Sequence, residues 1–325
     1  MSQILIVGGA GYIGSHTAHQ LCRQGYQVVV IDNLSTGVKD AIPNEAEFIQ
    51  VDILDTEALR RVLKGRSFDA IFHFAAKLSV PESFLKFDDY FQTNVVGTFN
   101  ILQLCRELNI PKLIFSSTAA VYGESTTEPI TEEAPQAPSN PYGQTKKMTE
   151  ELINSFSTTV PNFRYHILRY FNVAGAELDG TNGPRNTKSG QLMMNMSISA
   201  LGSREMHIFG SDFNTPDGTA VRDYIHVVDL ANAHIEAYRR LQSGAPSGVW
   251  NCGYGKGYSV AEMIQAFEKA SGVPFSVKRS PARTGDPASI VADNSRIVRE
   301  SAWRPQHNDI MKICKTMYDW VKNAR

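Results

Sequence analysis

The sequence predicts an α/β fold, in which a doubly wound parallel sheet is followed by a smaller C-terminal α/β lobe. Through the first half of the chain, short β-branched runs alternate with longer amphipathic stretches, which is the order expected of repeated βαβ units. The runs are continuously apolar, as are the strands of a parallel sheet that is covered on both faces. Right-handed crossovers between such strands place helices on both faces of the sheet.

Six strands and four helices are expected in this alternating half. The predicted strands cover residues 4–7, 28–31, 48–51, 70–74, 113–116 and 166–170. The predicted helices between them cover residues 16–24, 56–63, 89–108 and 142–155. Beyond about residue 172 the alternation ends in turn-rich stretches at 172–190 and 210–218. Further helices are expected there at 191–202, 227–242, 259–270 and 308–323.

The composition argues against several classes of function. The chain has 325 residues, and its 32 lysines and arginines balance 33 aspartates and glutamates, which leaves a formal charge of −1. Such a balance gives no electrostatic reason to expect binding to nucleic acid or to a membrane surface. No apolar run approaches the ~18 residues of a membrane span. The N-terminus lacks the basic flank and apolar core of a signal peptide.

The cysteines and histidines predict neither a disulfide framework nor a metal site. Cys22, Cys105, Cys252 and Cys314 lie far apart in the sequence, without a C-x-x-C pair. The eight histidines do not form a spaced set of ligands. Together with the composition, these observations predict a soluble protein of a reducing compartment, the cytoplasm, that binds no metal.

A glycine-rich turn after the first strand predicts a dinucleotide site. Gly8, Gly11 and Gly14 stand between the first strand and the first helix, where a pyrophosphate must approach backbone N–H groups at the helix N-terminus. Asp32 ends the next strand, 18 residues after Gly14, close to the usual spacing of ~20. Because a carboxylate there bonds ribose hydroxyls and repels a 2′-phosphate, the Rossmann-like first domain is expected to bind NAD rather than NADP.

A tyrosine and a lysine four residues apart predict acid–base chemistry. Tyr142 and Lys146 lie on one face of the helix that follows the fifth strand. A neighbouring ammonium lowers the pKa of a phenol, which then removes a proton from a substrate hydroxyl as hydride leaves the same carbon. Thr118, just beyond the fifth strand, supplies a further hydroxyl. A second Tyr-x-x-x-Lys match at Tyr318 and Lys322 is interpreted as surface and packing.

In their residues and in their order along the chain, seven motifs resemble those of the UDP-glucose 4-epimerase family of extended short-chain dehydrogenase/reductases. The matching motifs are GGAGYIG at 8–14, DNLS at 32–35, FSSTAAVYG at 115–123, YGQTK at 142–146, LRYFN at 168–172, TPDGT at 215–219 and RDYIHV at 222–227. The similarity extends from residue 4 to about 293. It implies an NAD-dependent isomerase in which the 4-hydroxyl of a UDP-sugar is oxidised to a ketone and then reduced from the opposite face.

The resemblance also implies which residues form the site. Thr118, Tyr142 and Lys146 are the implied catalytic residues. The implied NAD-binding residues are these three together with Gly8, Gly11, Tyr12, Ile13, Gly14, Asp32, Asn33, Leu34, Ser35, Thr36, Gly37, Asp52, Ile53, Phe74, Ala75, Ala76, Lys77, Asn94, Tyr170 and Phe171. The implied substrate-binding residues are Thr118, Tyr142, Asn172, Gln191, Leu192, His207, Phe209, Arg222, Arg283, Asp286 and Ile290.

The same resemblance divides the chain and predicts its assembly. Residues 1–172 are expected to form the NAD-binding domain and residues 173–325 mainly the substrate lobe, with the segment around 222–242 returning to the first domain. A homodimer is expected through the helices at 89–108 and 142–155. Arg222 and Arg283 are expected to hold the diphosphate. The alternative for Arg222 is an ion pair with Asp223, and that for Arg283 is a solvated loop position.

Three positions depart from the usual family pattern and leave the sugar open. Gln191 stands where Asn is frequent, Met194 where Pro is frequent, and Ile290 where a large Tyr or a small residue marks the sugar range. Epimerases of UDP-N-acetylhexosamines or UDP-pentoses are therefore alternatives. A 4,6-dehydratase needs acids where Ala119 and Ala120 stand. A non-catalytic NAD-binding regulator typically loses the tyrosine and lysine that this chain keeps.

Overall fold

The protein is described here by a computed structural model that covers residues 3–125, 127–187, 190–283 and 285–324. The strands are β1 (Gln3–Val7), β2 (Gln27–Asp32), β3 (Glu47–Gln50), β4 (Ala70–His73), β5 (Lys112–Thr118), β6 (Arg164–Tyr170), β7 (Asn172–Ala174), β8 (Met206–Phe209), β9 (Val221–His226), β10 (Gly248–Cys252), β11 (Gly257–Ser259), β12 (Val277–Ser280) and β13 (Ser289–Ile290). The helices are α1 (Tyr12–Arg23), α2 (Thr56–Leu63), α3 (Val80–Leu85), α4 (Phe87–Phe91), α5 (Gly97–Glu107), α6 (Pro141–Thr159), α7 (Leu192–Ala200), α8 (Val227–Gln242), α9 (Val260–Ser271), α10 (Ser295–Glu300) and α11 (Ile310–Asn323).

The central sheet is parallel and has seven strands in the order β3-β2-β1-β4-β5-β6-β10. The chain builds outward from β1 to β3 and then returns to add β4 on the other side of β1, so the direction of winding reverses between β1 and β4. Crevices at such a switch point, at the carboxyl ends of the strands, are where open α/β sheets bind ligands. The predicted doubly wound α/β fold is confirmed.

Two hydrophobic clusters cover the two faces of this sheet. On one face Leu5 and Ile71 pack with side chains of α2, α5 and α6, including Leu59, Ile101 and Ile153. On the other face, Ile4 and Phe72 belong to a cluster that contains side chains of α1, α8 and α10. Every residue of β4 is buried, as expected for a strand near the middle of a doubly covered sheet.

All six predicted strands are present, but the sequence did not predict the seventh. The strand β10 pairs with β6 along its whole length, from Gly248 opposite His166 to Cys252 opposite Tyr170. Its five residues, GVWNC, show neither a β-branched run nor an alternation of apolar and polar side chains. A short strand of this kind is recognisable only by its partner, because the edge of β6 supplies its hydrogen bonds.

The helix α8, which the sequence predicted with the same bounds, packs on the sheet of the first half. Its Leu230, Ala233 and Tyr238 lie in the cluster on the α1 face. The strand β9, in contrast, belongs to a small sheet with β7, β11 and β13. The second half of the chain thus returns to the main sheet through α8 and β10. The division at residue 172 into two domains stays a prediction.

The small lobe has a methionine-rich core. Met193, Met194 and Met196 of α7 pack with side chains of β8, α9 and α11. The buried Tyr318 of α11 belongs to this cluster, which places the second Tyr-x-x-x-Lys pair in a packing role, as predicted. Unbranched methionine side chains fill irregular gaps and adapt to small movements of their neighbours.

Among the residues that the structure describes, each helix is too short or too polar to cross a bilayer.

We expect Trp250→Ala to destabilise the protein by about 3–5 kcal/mol, because it deletes a large buried side chain. Trp250 is fully buried in β10, lies 4.0 Å from the ring of His166 and donates from Nε1 to Glu300. Urea unfolding followed by circular dichroism measures the loss. Leu178→Ala, at a side chain that is half exposed, serves as the control and should cost under ~0.5 kcal/mol. Equal losses in the two variants would contradict a core position for β10.

Candidate active site

The glycine turn lies at the switch point, between β1 and α1. Gly8 has a φ of +81°, and a side chain there would collide with the backbone of Ala75 after β4. A side chain at Gly14 would collide with the carbonyl oxygen of Gly8. No side chain caps the N-terminus of α1, and its first turn carries no acidic residue. This closely packed turn, with an uncapped helix behind it, fits a pyrophosphate.

Asp32 ties the end of β2 to the glycine turn. Its carboxylate accepts the backbone N–H of Ala10 at 3.0 Å and that of Leu34 at 2.8 Å. Burial raises the pKa of Asp32 above its usual value, and the two backbone hydrogen bonds oppose that rise. Each oxygen accepts one N–H and has a second lone pair, so the carboxylate can also accept ribose hydroxyls.

The residues expected around the adenosine end meet in the loops after β2 and β3. Asn33 donates to Asp52 at 2.8 Å, and Asp52 in turn accepts the backbone N–H of Leu54. The segment that holds Ser35, Thr36 and Gly37 returns to the glycine turn, where the N–H of Val38 donates to Ala10 at 3.1 Å. Leu34 has a φ of +60°, a left-handed conformation that a leucine rarely adopts. The structure therefore brings both acidic loops to one edge of the sheet.

Asn94 braces the loop after β4, which carries Phe74, Ala75, Ala76 and Lys77. Its side chain accepts the N–H of Lys77 at 2.8 Å and donates to the carbonyl of Lys77 at 3.0 Å. It also donates to Thr145 of α6 at 2.9 Å. Asn94 lies in a π-helical segment, Gln92–Val96, which joins α4 to α5. Both N–H donors of the Asn94 amide are used within the protein, and a direct contact of Asn94 with the cofactor stays a prediction.

Thr118, Tyr142 and Lys146 meet where β5 ends and α6 begins. All three are buried, with exposed fractions of 9%, 7% and 3%. Lys146 donates from Nζ to the carbonyl oxygen of Ser116 at 2.7 Å and lies 4.4 Å from the centre of the Phe115 ring. The helix begins behind Asn140, whose side chain accepts the N–H of Gly143 at 2.9 Å. Lys146 thus fixes α6 against Phe115 and Ser116 of β5.

Burial changes the expected acid–base state of this group. It raises the pKa of the Tyr142 phenol far above its usual value, although a hydrogen bond with Thr118 opposes the rise. It lowers the pKa of Lys146 to about 7, although the charge of Glu150 opposes the fall. In the protein without ligands the pKa of Tyr142 therefore lies above its usual value, opposite to the expected direction, because desolvation of the phenolate is the largest effect.

The predicted diphosphate arginines lie on the small lobe. Arg222 of β9 donates from Nη1 to the carbonyls of Val221 at 2.7 Å and Ala288 at 3.4 Å. Burial lowers the pKa of Arg222, and the charge of Asp286 opposes that change. The alternative, an ion pair of Arg222 with Asp223, is not what the structure contains: the Asp223 carboxylate accepts backbone N–H groups of Tyr254, Gly255 and Ala292.

Arg283 stacks on an aromatic ring and is not a purely solvated loop residue. Its guanidinium lies 3.9 Å from the centre of the Phe209 ring. His207 hydrogen-bonds to Ser280 at 2.9 Å, and its ring lies parallel to that of Phe209. The N–H of Asp286 donates to the carbonyl of Arg283 at 3.3 Å. These four predicted substrate residues therefore form one group around β8 and the loop before β13.

Two contacts join the small lobe to the segment after β5 and to the start of α6. Ile290 pairs in register with Arg222 and packs in a small cluster with Ala119, Tyr122 and Phe171. In the same region, Ser139 donates to the carbonyl of Gly285 at 3.2 Å, just before α6 begins. The loop that carries Arg283 and Asp286 is thereby held beside the start of the catalytic helix.

The remaining predicted residues lie at the edges of this arrangement. Asn172 is exposed and starts β7, where it pairs with Tyr224. Gln191 precedes α7 and Leu192 begins it, and both are half-buried. Tyr170 and Phe171 follow one another at the end of β6. The hydroxyl of Tyr12, at the start of α1, donates to the carbonyl of Gly175 at 2.5 Å, and so links the glycine turn to the second half of the chain.

A buried ion pair that the sequence did not predict lies beside Lys146 on α6. Glu150 of α6 and Arg169 of β6 form an ion pair at 2.6 Å, with both side chains 6% exposed. The hydroxyl of Ser117, next to Thr118, donates to Glu150. One signal was available: Glu150 follows Lys146 by four residues, as Lys146 follows Tyr142, so all three lie on one face of the helix.

Within the described ranges, no group of three or more histidine, cysteine or acidic side chains is placed to hold a metal ion. The residues fit NAD, since the glycine turn is too closely packed for side chains, no side chain caps the helix behind it, and the Asp32 carboxylate lies against the turn.

Comparisons with known proteins agree with this geometry. A family model described as "NAD dependent epimerase/dehydratase family" matches residues 4–253. A UDP-glucose 4-epimerase of Azospirillum brasilense is 42% identical over 322 residues, which are 99% of this chain and 92% of the relative.

Two solved structures are similar along the whole chain. The UDP-Glc/GlcNAc 4-epimerase of Campylobacter jejuni has a TM-score of 0.87 at 43% identity and covers 99% of this chain and 100% of its own. The UDP-glucose 4-epimerase of Brucella ovis, solved in complex with NAD, has a TM-score of 0.93 at 37% identity and covers 98% of each chain. The chain belongs to the NAD dependent epimerase/dehydratase family.

Proposed function

We propose that this protein, an NAD-dependent UDP-sugar 4-epimerase, interconverts UDP-glucose and UDP-galactose with Tyr142 as its acid–base residue. The observation that carries the proposal is the buried group of Thr118, Tyr142 and Lys146 at the carboxyl end of β5, the strand next to β4 at the switch point. A buried phenol, a buried amine and a hydroxyl beside a dinucleotide turn suit proton removal from a secondary alcohol.

The three side chains have separate tasks. Tyr142 takes the proton of the sugar 4-hydroxyl and later returns it, while Thr118 holds the same oxygen by a hydrogen bond. Lys146, fixed by the carbonyl of Ser116, stabilises the phenolate with its charge. NAD, when bound, supplies the reversible acceptor for the hydride of C4. Since burial raises the pKa of Tyr142 in the ligand-free protein, the phenolate needs positive charge close by in order to form.

The diphosphate is assigned to Arg222 and Arg283. The hydrogen bonds of Arg222 go to backbone carbonyls, which leaves several of its five N–H donors for an anion. A buried guanidinium gains most from a charged partner such as a diphosphate. Arg283, with its guanidinium 3.9 Å from the centre of the Phe209 ring, is assigned the same role.

The sugar end is assigned to Ile290, which packs beside Ala119 and Tyr122. A side chain of intermediate size there supports a hexose site and leaves the N-acetylhexosamine alternative open. The Campylobacter jejuni relative, 43% identical, is a UDP-Glc/GlcNAc 4-epimerase, which favours that alternative as the second candidate.

We also propose that the enzyme works in the cytoplasm as a homodimer. Apolar side chains lie at the surface of α5, of α6 and of the π-helical segment before α5: Phe99 is 44% exposed, and Val95, Met148 and Leu152 are half-buried. A paired copy would remove these side chains from water. All four cysteines are free thiols, which is compatible with a reducing compartment.

Tyr142→Phe should retain bound NAD and lose about 10²-fold or more in kcat, because the acid–base hydroxyl is gone while the ring still fills its place. Turnover of UDP-galactose measures kcat, and the absorbance of the purified variant measures NAD. Tyr318→Phe, at the second match, is the control and should keep full activity. If the Tyr142→Phe variant turned over substrate at the wild-type rate, Tyr142 would not be the acid–base residue.

The purified enzyme should interconvert UDP-glucose and UDP-galactose without added NAD, because the cofactor is reoxidised within each turnover. Incubation with UDP-glucose, UDP-N-acetylglucosamine and UDP-arabinose, with products resolved by NMR, ranks the three sugars. Turnover of UDP-N-acetylglucosamine alone would contradict the hexose assignment in favour of the second candidate.

Sedimentation velocity should give the mass of a dimer for the wild-type enzyme. The Phe99→Lys variant should have a lower mass, closer to that of the monomer, because the dimer would bury the new charge at the proposed interface. Val277→Lys places the same charge at a side chain of similar exposure on β12 and should leave the dimer intact. A monomeric wild-type enzyme would contradict the assembly.

A further inference from the structure

A buried polar network lies directly behind the catalytic group. It consists of Glu150, Arg169, Ser117, Tyr122 and Asn251, which we call the Glu150 network. All five side chains are buried. Glu150 lies one helical turn beyond Lys146 on the same face of α6, so its carboxylate is the anionic neighbour of the catalytic amine.

The carboxylate of Glu150 is held from several sides. Arg169 donates from Nε to both oxygens at 3.1 Å and from Nη2 to Oε2 at 2.6 Å. Gln136 donates to Oε2 at 2.9 Å, and Ser117 donates to Oε1. A carboxylate with a bidentate arginine and two further donors is ionised and fixed in orientation.

Arg169 is itself fully engaged and cannot swing toward the catalytic group. It donates from Nη1 to the hydroxyl of Tyr122 at 2.9 Å and to the carbonyl of Glu132 at 3.2 Å. The Tyr122 hydroxyl donates in turn to Asn251 at 2.7 Å. These bonds connect Arg169 through Tyr122 to β10, so the guanidinium is held from the side opposite to α6 as well as by Glu150.

The network also fixes α6 against β5 at two successive residues. Lys146 donates to the carbonyl of Ser116, while Glu150 accepts from the side chain of Ser117. Ser117 and Arg169 are register partners on β5 and β6, so Glu150 spans both strands. Thr118, the next residue of β5, is therefore positioned by the same contacts that position the amine.

We propose that Glu150 is a positioning residue that keeps Lys146 in its ammonium form beside Tyr142. Burial strips Lys146 of water, and the ring of Phe115 with one carbonyl oxygen replaces little of that solvation. The carboxylate one turn away supplies the missing negative potential. The effect on turnover rests on the proposed role of Tyr142, whereas the effect on Lys146 does not.

The groups around this pair do not titrate near neutrality. Burial and the charge of Lys146 lower the pKa of His73 on β4 to about 3. Burial raises the pKa of Tyr122 to about 12. The groups that face Lys146, Tyr142 or Glu150 are His73, Tyr90, Tyr122, Tyr165, Arg169 and Tyr170. Burial also raises the pKa values of the other three tyrosines, so Lys146 is the member of this set with a pKa near 7.

The direct test is the titration of Lys146 in the NAD-loaded enzyme labelled at lysine Cε with 13C. The Lys146 signal is identified by its loss in Lys146→Arg. In Glu150→Gln its pKa should fall by about one unit, because a neutral amide no longer stabilises the ammonium. Glu151→Gln, which removes an exposed carboxylate of the same helix, should leave the titration unchanged. An unchanged titration in Glu150→Gln would overturn the proposal.

The second test is the dependence of kcat on pH. The phenolate needs the ammonium beside it, and an ammonium of lower pKa loses its proton earlier as the pH rises, so the basic limb of kcat should move to lower pH by about one unit in Glu150→Gln, with KM nearly unchanged. A basic limb that stays in place or moves to higher pH overturns the proposal.

A third variant is the control for misfolding, because Glu150→Gln leaves the buried charge of Arg169 without its partner. Glu150→Gln combined with Arg169→Met removes both charges and should show the same two shifts. The failures are distinguishable. If Tyr142→Phe keeps its turnover, the acid–base assignment fails, and the 13C titration still decides the link between Glu150 and Lys146.

Discussion

The hydrogen bond from Lys146 to the carbonyl oxygen of Ser116 is the interaction on which the site depends. It joins α6 to β5 at 2.7 Å and so determines how far Tyr142, one turn before Lys146, lies from Thr118, two residues after Ser116. The bond is made in a buried place, where a donor without its acceptor would cost several kcal/mol. The same burial depresses the pKa of the amine and raises that of the phenol, which makes the charged neighbours of this pair important for the chemistry.

The architecture supplies the rest of the site from both halves of the chain. The parallel sheet brings the glycine turn, Asp32 and Thr118 to one edge, because all of its strands end on the same side. The small lobe carries Arg222 on β9 and Arg283 in the loop before β13, and the bond from Ser139 to Gly285 holds this loop beside the start of α6. The methionine-rich core of the lobe adapts more readily than a core of branched residues.

Much of this was predictable from local patterns. The glycine turn, the acidic end of β2 and the Tyr-x-x-x-Lys pair were recognisable because each is confined to a few adjacent residues. Helices α2 and α8 have the bounds that their apolar spacing predicted. The strand β10 was missed, because GVWNC becomes a strand only through pairing with β6. The pKa direction of Tyr142 was wrong, because spacing along a helix shows which charge is near and does not show how much water is lost.

What the sequence determined by itself is therefore the class of fold and the glycine turn after β1, since these depend on residues close together in the chain. Only the tertiary structure decided which distant segments complete the site. It placed Arg169 and Asn251 behind Glu150, paired Ile290 with Arg222, and directed Asp223 to backbone N–H groups instead of Arg222. Those contacts join residues that lie 19 to 129 positions apart in the chain. Burial, which sets their energies, is a property of the folded chain alone.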